Sequence, residues 1–299
     1  MKTAESILLD RSIQITHPEK PIWQHPLINK QQFIDYLNRA APMMLPFLSD
    51  RALTVIRFPH GVPGTSFFQK NCPDYAPEFI RTYEEDGTRY IVCHDATTLV
   101  WLGNQLAVEY HIPFQQVGEE QPKEIIFDLD PPDRSAFPLA IKAAVAMSVL
   151  FERLSIVSFP KLSGSRGIQI HIPISGLGLS YSDTRLFTKF ISDLLVSQSP
   201  EHFTTERLKK YRGGRLYIDY VQHAEGKTII CPYSPRGKEG ATVAAPLFWD
   251  EVNDALRIEL FTIATVLERI SKGINPMRGY FEQRNESLLP IIKHLKSVR

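Results

Sequence analysis

The sequence predicts an α/β (α+β) fold, mixed β-sheets flanked by helices, and two observations carry that expectation. Short β-branched, apolar segments alternate with amphipathic segments of helical period along the whole chain. The composition is that of an ordinary globular body: of 299 residues, 43% are hydrophobic, 22% charged and 10% aromatic. No repeat, low-complexity tract or Gly/Ser linker interrupts the alternation. The 22 prolines therefore read as punctuation within one body.

The N-terminal MKTAESILLDRS carries Glu5 and Asp10 and has no apolar stretch, so no secretory leader is expected. A helix is expected after Asn29, running through FIDYL toward Pro42. LTVIRF reads as a strand ending at Pro59, and the turn HGVPG leads to a second strand, SFFQK. RYIVC is a further strand, and Asp95 caps an expected helix over ATTLVWLGNQLAV. EIIFDLD is a strand stopped by Pro131 and Pro132, and a long helix, FPLAIKAAVAMSVLFERL, follows. IVSFPK, a glycine turn, the strand GIQIHIPI and a helix over DTRLFTKFISDLLVSQ come next. RLYIDYV, KTIICPY, an irregular loop and a final helix from about Asp250 to Arg269 complete the reading.

Composition narrows the function classes. No stretch approaches the ~18 uncharged apolar residues of a membrane span. Cys72, Cys93 and Cys231 are far apart and odd in number, which excludes a disulfide framework or compact cysteine zinc site and fits a reducing cytosol. Lys+Arg 34 against Asp+Glu 33 gives a net charge of +1, far from that of an architectural DNA binder. Arg207–Arg215 (RLKKYRGGR) nevertheless holds five basic residues and no acid. It reads either as a solvated turn or as a phosphate-binding patch.

Chemistry concentrates in three strands. In EIIFDLD, Ile125, Phe127 and Leu129 share one face, and Ile126, Asp128 and Asp130 the other. The two aspartates lie roughly 6.5 Å apart at ~3.3 Å per residue. They either cap the following helix or converge on hard cations. In RLYIDYV, Asp219 interrupts an apolar strand, paired with a neighbouring Arg or completing a carboxylate site for Mg²⁺ or Mn²⁺. Ser163–Gly167 (SGSRG) reads as an ordinary turn or as a cradle wrapping a triphosphate with N–H groups, hydroxyls and Arg166. Gln169 and His171, in the strand that follows, are expected on its wet face.

Together, FDLDP (Phe127–Pro131), SGSRG, YIDY (Tyr217–Tyr220) and GKTIICPYSPRGKEGATVAAPLFW (Gly226–Trp249) resemble the polymerase domain of bacterial ATP-dependent DNA ligase D. That family is part of the archaeo-eukaryotic primase superfamily. GVPGTSFFQK and LAVEYHIP add to the likeness, which spans most of the chain. The resemblance implies a single primase-polymerase domain over 1–299. Residues about 1–120 would carry 5′-phosphate and DNA contacts, and about 121–299 the catalytic core. It implies template-directed nucleotide addition, ribonucleotides preferred, at gaps and broken ends in non-homologous end joining. Two divalent cations, Mn²⁺ or Mg²⁺, and an NTP or dNTP substrate go with that activity. So do gapped or broken DNA with a 5′-phosphate, a Ku-like protein, a ligase domain and a nucleoid-associated place in the bacterial cytoplasm.

Residue by residue, Asp128, Asp130 and Asp219 match the family's metal-binding catalytic triad. Ser163, Ser165 and Arg166 match its triphosphate turn, where Lys often stands at Arg166. His111, Gln222 and Arg236 match further nucleotide contacts, and His171 is a candidate beside Gln169, where the family often has His. Phe67 and Phe68 match an aromatic pair that packs against bases, Phe67 on the DNA side and Phe68 on the nucleotide side. Lys20 and Lys30 match the 5′-phosphate contacts, and Arg57 and Arg212 match basic residues toward DNA. Two rivals share these residues: a primer-independent primase, and a catalytically silent DNA-end-binding module, which would not need all three aspartates.

Overall fold

Polar caps and glycine turns divide the chain into strands and helices that sort into two compact units in a computed structural model, which describes residues 13–298. The N-terminal reading against a leader lies outside those residues. The first unit gathers the chain up to Pro113 with Thr228–Ala245 and Ile258–Asn275. The second holds Phe114–Lys227, Pro246–Arg257 and the segment from Pro276 onward. No helix of the described residues is long and apolar enough to cross a membrane.

The first unit opens with the short antiparallel pair β1 (Pro21–Trp23) and β2 (Ile28–Asn29). Asn29 then caps α1 (Lys30–Leu48) in a reciprocal capping box with Gln32. α1 runs through Pro42 and Pro46, six residues beyond the expected stop at Pro42. Phe33, Tyr36, Leu37, Met44 and Phe47 are buried along it, and this tertiary burial outweighs the ladder bonds lost at the prolines. β3 (Thr54–Arg57) and β4 (Phe67–Gln69) follow. β5 (Thr82–Glu85), which was not expected, pairs with β6 (Thr88–Ile91), the expected RYIVC strand begun one residue earlier, in a hairpin that turns at Asp86–Gly87, both at positive φ as a two-residue hairpin turn requires.

Asp95 caps α2 (Ala96–Asn104), which stops four residues short of the expected Val108. Leu106 takes a φ of 63°, and β7 (Ala107–Pro113) leaves in extended form. Pairing on both edges decides this: β7 lies between β3 and the later β13 (Thr228–Ile230), in the order β13-β7-β3-β4. Helical periodicity cannot register that long-range ladder.

In the second unit, β8 (Glu124–Asp130) is the middle strand of five. Around it lie α3 (Phe137–Arg153), β9 (Phe159–Leu162), β10 (Ile168–Pro173), α4 (Tyr181–Gln198), β11 (Phe203–Thr204) and β12 (Leu216–Asp219), in the sheet order β11-β12-β8-β10-β9. β9 is shorter than IVSFPK because Val157 spends its N–H and C=O on the Asn285 side chain. Phe127 meets Phe151 of α3 and Phe187 of α4 at ring separations of 5.7 and 6.2 Å. Both helices thus cover the Ile125–Phe127–Leu129 face and leave the aspartates on the other.

The expected helix over 250–269 does not form. Asn253 Oδ1 accepts from Ala255 N–H in a local turn, single 3-10 turns stand at Trp249–Glu251 and Ile258–Leu260, and the α-helix is confined to α5 (Ile263–Ser271), capped by Thr262 in the first unit. α6 (Leu288–Ser297), in the second unit, was not anticipated.

Candidate functional site

Strand alternation and register assemble the acidic cluster of the second unit. Asp128 lies directly opposite Asp219 of β12 and Gln169 of β10, and Asp130 opposite Tyr217. Side chains so opposed are ~5 Å apart at Cβ, so two like charges share one cross-strand position. Burial, then Asp130, with a further contribution from Asp219, pushes the Asp128 pKa from an ordinary 3.8 up to about 6. Asp219 Oδ1 is fixed by Tyr217 O–H at 3.0 Å and by the N–H groups of Val221 (3.1 Å) and Gln222 (2.9 Å).

Asp130 is engaged by cations of the chain itself. Arg166 donates a two-pronged fork to it, Nε–Oδ1 2.6 Å and Nη2–Oδ2 2.8 Å. Arg212 stands 3.6 Å from Oδ2 and stacks on Tyr217, its Cζ 3.8 Å from the ring centroid. Among the described residues no three His, Cys, Asp or Glu side chains gather as a metal cage. The donor chemistry nevertheless fits a hard divalent cation: carboxylate oxygens, paired across two strands, with one acid held above its ordinary range by burial and by the neighbouring carboxylates.

SGSRG is the loop between the antiparallel strands β9 and β10. The N–H groups of Ser165, Arg166 and Gly167 converge on Ser163 Oγ at 3.3, 3.4 and 3.0 Å. The loop is thus already a nest of donors around one oxygen. In this structure that place is held by the Ser163 hydroxyl, and Arg166 turns onto Asp130. Unpaired N–H groups and an arginine beside acids take the partners at hand.

The expected wet face is narrower than the alternation implies. Gln169 and His171 are buried, at 3% and 1% exposure, and Tyr280 from the C-terminal segment packs edge-on against His171 and Phe159. His171 therefore lies beneath an aromatic lid, opposite Ile126 and away from the acids. Gln169 instead links Asp128 to a residue that sequence reasoning missed. Its Nε2 donates to Asp128 Oδ1 at 3.1 Å, and its Oε1 accepts from the fully buried Lys161 Nζ at 2.6 Å. In the basic run, Arg212 and Arg215 turn inward onto backbone carbonyls.

The first unit holds the other predicted residues. Lys30 N–H donates to Lys20 O at 2.8 Å, so the two lysines adjoin. Lys30 is buried with its Nζ on Thr16, and burial and Lys20 lower its pKa to about 8. Lys20 reaches the Pro59 carbonyl, and a cavity of about 580 Å³ is lined by His17, Pro18, Glu19 and Lys20. Phe67 and Phe68 are 45% and 71% exposed on an edge strand. Arg57 sits over the Phe67 ring at 5.5 Å and is tied to Gln105, Gln69 and Tyr75. His111 and Arg236 meet at a second missed residue, Glu109, 3.0 and 3.4 Å away. The available signal was the one that singles out Asp219, an acid inside an apolar strand.

Comparison with known proteins adds an independent line. Residues 29–277 match the family model described as LigD, primase-polymerase domain. The chain is 48% identical over 282 residues to the bifunctional non-homologous end joining protein LigD of Bacillus subtilis (strain 168), covering 94% of this chain and 46% of that protein. It is 28% identical over 249 residues to the multifunctional non-homologous end joining protein LigD of Mycolicibacterium smegmatis, covering 81% and 32%. The chain thus spans less than half the length of these relatives. The structure resembles the polymerase domain from Mycobacterium tuberculosis ligase D in complex with DNA. The TM-score is 0.84 at 28% identity, over 92% of this chain and all of the other.

Proposed function

The chain belongs to the LigD primase-polymerase domain family, and on that premise we propose that it is a template-directed nucleotidyltransferase. It adds nucleotides, ribonucleotides preferred, to primer ends at gaps and breaks in DNA during non-homologous end joining. The observation that carries this reading is the acidic register: Asp128 opposite Asp219, with Asp130 one alternation further and the donor loop beside it. Asp128, Asp130 and Asp219 would hold Mn²⁺ or Mg²⁺, which supplies Lewis acidity to the attacking hydroxyl and charge neutralisation to the leaving pyrophosphate.

The chain's own residues do the rest. The nest at Ser163 offers N–H donors to phosphate oxygens, with Ser165 alongside. Arg166 follows a triphosphate off Asp130 and frees that carboxylate. Tyr217 and the Gln222 N–H keep Asp219 in one rotamer throughout. Phe67 and Phe68 supply stacking surface, and Lys20 and Lys30 hold a 5′-phosphate. A ligase activity, a Ku-like end-binding protein and a place at the bacterial nucleoid in the cytoplasm complete this reading.

The test is extension of a primer across a gapped, 5′-phosphorylated template with Mn²⁺ or Mg²⁺, NTPs and dNTPs compared. Wild type should extend and Asp219→Ala should not. Full extension by Asp219→Ala removes the assignment, and synthesis without a primer shifts it to a primase.

A further inference from the structure

Glu109 is a buried acid, 4% exposed, in the middle of β7 between the buried Val108 and Tyr110. A carboxylate in that setting is costly unless its charge is met. Three groups meet it: His111 Nε2 at 3.0 Å on Oε2, Gly237 N–H at 2.9 Å and Arg236 Nε at 3.4 Å on Oε1. Burial raises its pKa, but His111, Arg236 and the Gly237 N–H together bring it below the ordinary value, so the carboxylate stays ionised.

The three partners come from two places. His111 stands two residues on along the same strand and face, while Arg236 and Gly237 belong to the loop after β13. That loop is tied back by Arg236 N–H to the Thr242 carbonyl and by the bridge of Pro235 to Val243. Glu109 is thus the joint between an imidazole on a rigid strand and a guanidinium on a loop. Both side chains are 15% exposed, so each still reaches solvent. The Arg236 contact is an ion pair without hydrogen-bond geometry, and Nε makes no hydrogen bond. Such a guanidinium is held near its post while able to turn to a ligand.

We propose that Glu109 is a positioning residue, holding His111 and Arg236 at the mutual spacing with which they grip the phosphates of the incoming nucleotide. This rests on the reading of His111 and Arg236 as phosphate contacts. Glu109 and Arg236 balance each other in charge, and a proton taken up by His111 when a polyphosphate arrives makes the cluster net positive. A strut for the loop alone requires only an acceptor for the Gly237 N–H, which a neutral amide also supplies.

Glu109→Gln separates the two roles, because it keeps that acceptor and removes the charge. In steady-state extension with the full chain, Glu109→Gln is expected to raise KM for the nucleotide about tenfold while kcat changes less than threefold. Calorimetric titration with inorganic tripolyphosphate should weaken in parallel, and thermal melting should move by no more than a few degrees. His111→Ala and Arg236→Ala are run alongside, with the double variant Glu109→Gln/Arg236→Ala. The double variant should bind tripolyphosphate more weakly than Arg236→Ala alone only by the share that acts through His111, so its loss is less than the sum of the two single losses. If the two single variants raise KM and Glu109→Gln does not, the positioning role is overturned and the phosphate reading stands. If neither single variant raises KM, the phosphate reading itself fails. A collapse of melting temperature and kcat together in Glu109→Gln makes the charge itself a requirement of folding and overturns the proposal.

Discussion

Asp128 is an acid held against its chemistry. Its pKa of about 6 lies above the ordinary 3.8, so folding takes up a proton between those values. Stability without metal therefore falls as pH rises from about 4 to about 6, and the full cost persists above. Asp128→Asn keeps an acceptor for the Gln169 amide and removes the charge. Its melting temperature in metal-free buffer should exceed that of wild type by roughly 2–5 °C at pH 7.5. The gain should vanish below about pH 4, while extension activity is lost. A variant that melts lower than wild type at pH 7.5 would remove the repulsion argument. Asp219 was legible as an acid interrupting an apolar strand. Glu109 obeys the same rule, yet helical periodicity running past Asn104 hides the strand that carries it.

The loop between β9 and β10 shows what one element decides. Gly167 packs so closely on β8 that an added Cβ would lie 2.1 Å from the Leu129 carbonyl oxygen. Backbone cannot yield there as a side-chain tip can, and the strain falls on the register that opposes Gln169 to Asp128. Gly164, at φ +68°, holds a left-handed turn that favours glycine. Gly167→Ala should therefore lower the melting temperature clearly more than Gly164→Ala, whose cost is ~1 kcal/mol. Equal melting temperatures for the two variants would mean that the strands can part without penalty. The turn was legible from its glycines. That its N–H groups point inward around Ser163 was not, because a nest depends on φ and ψ at successive residues rather than on composition.

Over the whole molecule, charge is arranged locally on a chain of net +1. The adjoining lysines at Lys20 and Lys30 test the proposal that such a molecule selects DNA ends. Because Lys30 loses its proton at about 8, its charge fades as pH rises through that value. Wild type should bind a 5′-phosphorylated gap more tightly than a 5′-hydroxyl gap at pH 7. That ratio should shrink severalfold by pH 9, and again as salt is raised. Lys20→Ala with Lys30→Ala should bring the ratio to about one at every pH. Competition binding with labelled gaps measures it, and a ratio indifferent to both pH and the lysines assigns the 5′-phosphate elsewhere.

By itself the sequence determined the strand alternation that puts Asp128 and Asp130 on one face, the apolar ladder interrupted by Asp219, and the glycine turn. All of these rest on periods of two residues and on local backbone preference. Tertiary structure alone decided that β7 is a strand and not the end of α2, and that α1 continues through two prolines. It also decided that Tyr280 buries His171 and that Lys161 reaches Asp128 through Gln169. Each of these outcomes joins segments far apart in the chain or overrides a local preference by burial. The free energy of ladder pairing and burial exists only once those segments have met, so no local period encodes it.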